Sequence, residues 1–103
     1  MSVFSLTGRK ALVTGGARGL GAGMAAALAK AGAAVMIGDI LKEEGQRTAS
    51  ALTASGAKAD FVALDVTDDV SWAAAVSATV TKLGGFDILI NNAAIFSAAP
   101  IAE

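Results

Sequence analysis

A short apolar run, Ala11-Leu12-Val13, leads straight into Thr14-Gly15-Gly16-Ala17-Arg18-Gly19-Leu20-Gly21, and a helical pattern begins at once behind it. Few folds accommodate that succession. Glycine at 15 permits a tight turn out of a strand, and a residue without a side chain at 19 lets a bulky anion approach the backbone. A third glycine at 21 lets the new helix lie close against the strand it has just left. The first amide groups of such a helix have no partners within it, and its dipole places positive potential at that end, so the device suits a phosphate or diphosphate group. Glycine triplets are common, and this one carries weight because it sits between a strand pattern and a helix pattern.

Three further apolar runs follow, Ala34-Val35-Met36-Ile37, Phe61-Val62-Ala63-Leu64 and Ile88-Leu89-Ile90, each starting 23 to 27 residues after the one before. Their apolar positions are consecutive rather than alternating, which predicts strands buried on both faces. Between them lie helical patterns. Leu20, Met24, Leu28 and Ala31 share one helical face, with Gly32 placed for a left-handed terminus. Lys42 to Ala54 forms a second helix, ending near Gly56. Trp72, Val76, Val80 and Leu83 share a face of the third, which Thr67 or Asp68 can cap and Gly84-Gly85 stops. The order β-α-β-α-β-α-β predicts an α/β fold: a Rossmann-type doubly wound parallel sheet, here incomplete, with right-handed crossovers and helices on both faces. Residues 1–103 are expected to be the N-terminal part of a single domain.

Composition narrows the function. Hydrophobic residues make up 54% of the chain, enough for a packed core. Eight basic and nine acidic residues leave a net charge of -1 without a basic cluster, so no nucleic-acid partner is expected. Cysteine is absent, which excludes disulfides and zinc–thiolate sites and fits a reducing compartment. Histidine and tyrosine are absent as well, removing two versatile proton donors. Residues 1–10 lack a secretory h-region, and the apolar stretch 20–37 is rich in Ala and Gly and contains Lys30. No membrane association and a cytoplasmic location are therefore expected.

Three acids or amides at predicted strand ends complete the pattern. Asp39 lies 18 residues beyond Gly21, where a carboxylate can accept hydrogen bonds from an adenosine ribose and repel a 2′-phosphate. Arg18 pulls the other way, because a guanidinium beside the loop can pair with a 2′-phosphate. Ile40 and Leu41 follow Asp39, and no basic residue completes a phosphate clamp at once, so NAD is expected in preference to NADP. Asp65-Val66 closes the third apolar run and can meet an adenine, or simply begin the turn before the next helix. Asp68 and Asp69 read as helix-start acids. Asn91-Asn92-Ala93-Ala94 follows the fourth run, at the sheet edge where open α/β folds bind ligands.

Together these residues resemble the short-chain dehydrogenase/reductase family over essentially the whole chain. Thr14 to Gly21 is similar to its T-G-x-x-x-G-x-G motif, Asp39 to the acid of its NAD-preferring members, Asp65-Val66 to its adenine-contact position, and Asn91-Asn92-Ala93 to the start of its N-N-A-G motif. Ala94 departs from the family glycine. The resemblance implies an NAD-dependent oxidoreductase, acting on a small alcohol or ketone and assembling as a homo-oligomer. Its dinucleotide site would comprise Gly15, Arg18, Gly19, Leu20 and Gly21, then Asp39 and Ile40, then Asp65 and Val66, then Asn92 and Ala93. The family's catalytic serine, Y-x-x-x-K pair and asparagine have no counterpart in these 103 residues, so the chain by itself reads as truncated and is expected to be inactive, with no catalytic residue and no metal site. Two alternatives remain: a non-catalytic dinucleotide-binding module, and a fragment of an S-adenosylmethionine-dependent methyltransferase.

Overall fold

The computed structural model describes residues 5–92. Its elements are β1 (Lys10–Thr14), α1 (Gly19–Lys30), β2 (Ala34–Asp39), α2 (Lys42–Ala54), β3 (Ala59–Ala63), α3 (Asp69–Leu83) and β4 (Ile88–Asn91). All pairings are parallel and the strand order is β3-β2-β1-β4, so the chain winds one way from β1 and then crosses back over it. This is the expected Rossmann-like α/β fold, an architecture in which ligands bind beyond the carboxyl ends of the strands.

Side-chain alternation along the two central strands sorts the core into two layers. Val13, Val35 and Ile37 face Ala25 of α1 and Ala49 and Leu52 of α2. Leu12 and Met36 face the other way, against Leu64 and the α3 residues Ala75 and Leu83. Helices therefore cover both faces of the sheet. Leu12, Val13, Val35, Met36 and Ile37 have no solvent exposure, and each such side chain contributes roughly 1.5–3 kcal/mol by leaving water.

Helix boundaries follow local chemistry. Asp68, rather than Thr67, caps α3, its Oδ1 accepting from Val70 N at 3.0 Å. Gly32, Gly56 and Gly84 all have positive φ and end the three helices.

Several expectations need correction. The third strand spans Ala59–Ala63, starting two residues and ending one residue before the apolar run, so Asp65-Val66 lies beyond the strand rather than closing it. Only β1 and β2 have the buried interior expected of every strand, because β3 and β4 are the edges of the sheet formed by the described residues. On α1 the buried positions are Gly21 and Ala25, while Leu20 is 70% exposed. The face is rotated because the glycine at 21 draws the helix onto the loop. On α3 the buried positions are Ala75, Thr79 and Leu83, and Val80 is 47% exposed. The small residues carry the close contacts with the sheet. The expectations for Ala93 and Ala94 lie outside the described residues.

Candidate dinucleotide site

Each strand delivers its carboxyl end to one edge of the sheet, and the glycine loop occupies the middle of that edge. Gly15 leaves β1 with φ +66°, and its amide donates to Gly38 O at 2.8 Å, extending the pairing with β2 by one residue. Gly21 then passes beneath it. A Cβ at position 21 would stand 2.0 Å from Gly15 O and 2.8 Å from Asn92 Nδ2, so no side chain fits there. Gly19 has φ +60°, and a Cβ there would meet nothing within 4 Å: its glycine is required by conformation, and the space above it is open. No side chain caps α1 and no acid occupies its first turn. The first amides of α1 therefore have no side-chain acceptor from a cap, an arrangement that suits an anion.

The loop is held at both ends of one peptide residue. Asp39 Oδ2 accepts from Ala17 N at 3.1 Å, while Thr48 of α2 donates to Ala17 O at 2.5 Å. The other Asp39 oxygen accepts from Leu41 N at 3.0 Å, fixing the carboxylate at the end of β2. On the far side, Asn92 Nδ2 donates to Gly15 O at 3.3 Å, and Asn92 N donates to the hydroxyl of the buried Thr14 at 3.0 Å. The Thr14 hydroxyl donates in turn to Asn91 Oδ1 at 2.9 Å. The asparagine pair therefore ties β4 to β1 and to the glycine turn. Arg18 reaches out from the loop, 72% exposed, and its Nε lies 3.6 Å from Glu44 Oε1 in the first turn of α2.

A cleft of about 610 Å³ runs between the glycine loop, the end of β2 and the turn after β3, within the ~300–1,000 Å³ usual for small-molecule sites. Gly15, Arg18 and Gly19 of the loop line it together with Asp39 and Ile40 at the end of β2. Asp65 and Val66, beyond β3, line it as well. Of the other expected residues, Gly21 lies under the loop, Asn92 braces it from behind, and Leu20 points to solvent rather than into the cleft. Leu41, Leu64 and Thr67 also line the cleft and were missed by sequence reasoning. Thr48 and Glu44 were missed as well, since a threonine and a glutamate inside an amphipathic helix carry no motif signal.

Asp65 accepts from both the hydroxyl and the amide of Thr67, at 2.6 and 3.0 Å. These bonds, the hydroxyl foremost, hold its carboxyl below the usual aspartate value. Asp65 thus both lines the cleft and closes a turn. A second groove of about 600 Å³ lies outside β3, walled by Phe61 and the Asp60–Lys82 ion pair at 3.7 Å. It contains neither a glycine loop nor a helix N-terminus. Among the described residues no cluster of acids forms a metal site, and no helix is long and apolar enough to cross a membrane.

This chain belongs to the short-chain dehydrogenase family, whose model matches residues 9–103. It is 46% identical over 98 residues to a 3-alpha-(or 20-beta)-hydroxysteroid dehydrogenase of Mycobacterium tuberculosis, covering 95% of this chain and 36% of that protein. Among solved structures it resembles a dehydrogenase/reductase from Sinorhizobium meliloti 1021, with TM-score 0.85, 41% identity and coverage of 94% of this chain and 39% of that one. It also resembles a short-chain dehydrogenase from Burkholderia cenocepacia J2315 in complex with NADP, with TM-score 0.82, 42% identity and coverage of 91% and 39%. The chain thus spans well under half the length of these relatives. Family membership removes the methyltransferase alternative.

Proposed function

We propose that these residues form the NAD(H)-binding portion of an oxidoreductase that moves a hydride between a nicotinamide cofactor and an alcohol or ketone. The observation that carries this reading is the position of Asp39. Its carboxylate ends β2 in a cleft that a glycine loop also lines, beside an uncapped helix N-terminus. A diphosphate would lie over Gly19, where a Cβ would meet nothing within 4 Å, beside the uncapped N-terminus of α1. From there an adenosine ribose reaches Asp39, and an adenine lies between Ile40 and Val66. The Asp39 carboxylate favours ribose hydroxyls over a 2′-phosphate by charge, which supports NAD over NADP even though one relative was crystallised with NADP.

When bound, a nicotinamide gives or takes the hydride. The residues described here bind and orient: the loop amides hold negative charge, Asp39 anchors a ribose, and Asn92 keeps the glycine turn in place. Proton transfer to the carbonyl oxygen falls to other groups, since these 103 residues include no tyrosine or histidine.

Calorimetric titration of the natural polypeptide that carries this chain with NAD and NADP, followed by an assay of NAD-linked alcohol oxidation, tests the reading. Tighter binding of NAD together with turnover supports it. Binding without turnover sinks the enzymatic half, and tighter binding of NADP sinks the cofactor choice.

A further inference from the structure

Arg18, which lines the cleft, makes an ionic contact with Glu44 that the dinucleotide reading does not use. Among the described residues, Arg18 is the only basic side chain in the cleft wall, and it is the group that would otherwise serve a ribose 2′-phosphate. In this structure it has another partner, the Glu44 carboxylate at 3.6 Å. Glu44 is placed by its own helix: α2 begins Lys42-Glu43-Glu44, and acids in a first turn are favoured by the helix dipole. Its Oε1 is shut off from solvent and accepts no hydrogen bond among the described residues. The guanidinium is therefore what compensates that oxygen.

We propose that Glu44 is a specificity-determining residue of the dinucleotide site, holding Arg18 as its own counter-ion and so withholding that cation from a ribose 2′-phosphate. The inference rests on the dinucleotide reading above. Its physical basis is a competition. Arg18 meets Glu44 through Nε at 3.6 Å; turning the whole guanidinium to a 2′-phosphate gives up that contact and takes the compensation from an occluded carboxylate oxygen. Binding of NAD requires no such exchange, because the ribose hydroxyls fall to Asp39. Two carboxylates thereby set cofactor choice, Asp39 by facing the ribose and Glu44 by occupying the cation.

The test is a double-mutant cycle on the natural polypeptide, with Kd for NAD and for NADP measured by calorimetry in the unmodified protein, Glu44→Gln, Arg18→Ala and the double variant. Glu44→Gln keeps the shape and removes the charge, and Glu44→Ala repeats the comparison with the whole carboxylate gone. Both substitutions are expected to shift the ratio of the two Kd values toward NADP by about fivefold, the scale of a partly exposed ion pair. The shift is expected to vanish when Arg18 is alanine. An unchanged ratio in both Glu44 variants, with both dinucleotides still bound, overturns the role of Glu44 and leaves the cofactor reading standing. A shift of equal size in the Arg18→Ala background overturns the tether. If the unmodified protein binds neither dinucleotide, the cofactor reading fails and this proposal fails with it.

Discussion

The carboxylate of Asp39 accepts a hydrogen bond from the backbone amide of Ala17 at 3.1 Å, so the end of β2 and the glycine loop form a single unit. The same side chain that lines the cleft therefore also braces the glycine loop. Neighbouring contacts reinforce the pairing, with Thr48 on the carbonyl of Ala17 and Gly38 O on the amide of Gly15.

Replacing Asp39 with serine should consequently do two things. Removing the negative charge relaxes the preference for NAD, and shortening the acceptor loosens the loop. The NAD Kd is expected to rise by about tenfold, the scale of one lost charge-assisted hydrogen bond, while NADP is affected less. Calorimetry with both dinucleotides checks this, and equal weakening of the two would remove the charge argument.

Gly19→Val places a β-branched side chain at φ +60° and fills the open space above the loop. Dinucleotide binding should be lost while the far-ultraviolet circular dichroism spectrum is retained. Undiminished NAD affinity in that variant would dissociate the loop from the binding site.

Gly21→Ala should act on stability instead. Its new methyl group would collide with backbone, Gly15 O at 2.0 Å, which cannot rotate away as a side chain would. A loss of about 1–3 kcal/mol is expected, typical of overpacking. Urea denaturation measures it, and a midpoint equal to that of the unmodified protein would show that the loop and α1 separate freely.

The Asp65 carboxyl titrates below the usual aspartate value because Thr67 bonds to its charged form. A carboxyl depressed by folding contributes stability above its unfolded pKa and loses it as pH falls through the folded one. Asp65 is thus expected to remain ionised under mildly acidic conditions where ordinary aspartates begin to protonate. In Thr67→Ala its titration should move up toward the usual value. Carbon-detected NMR titration of the carboxyl reads this directly, and identical titration in both proteins would show that Thr67 does not set it.

Much of this architecture is a local property of the chain. Gly15, Gly32, Gly56 and Gly84 mark turns because only glycine adopts positive φ without strain, and each stands where the apolar patterns predict an element to end. The placement of Asp39 at the end of β2 follows from the length of one apolar run, and α2 spans the predicted Lys42–Ala54. Tertiary structure decided the rest, because those choices depend on which distant segments meet. Strand order β3-β2-β1-β4 left β3 and β4 at the edges of the sheet formed by the described residues, although their sequences are as apolar as those of the buried pair. Close approach of α1 to the loop selected Gly21 and Ala25 over Leu20 for burial. The contacts of Ala17 with Asp39 and Thr48, and of Arg18 with Glu44, join residues more than twenty positions apart. Hydrophobic periodicity reports only which face of an element is apolar, and it carries no information about a polar pair that exists once two elements have docked.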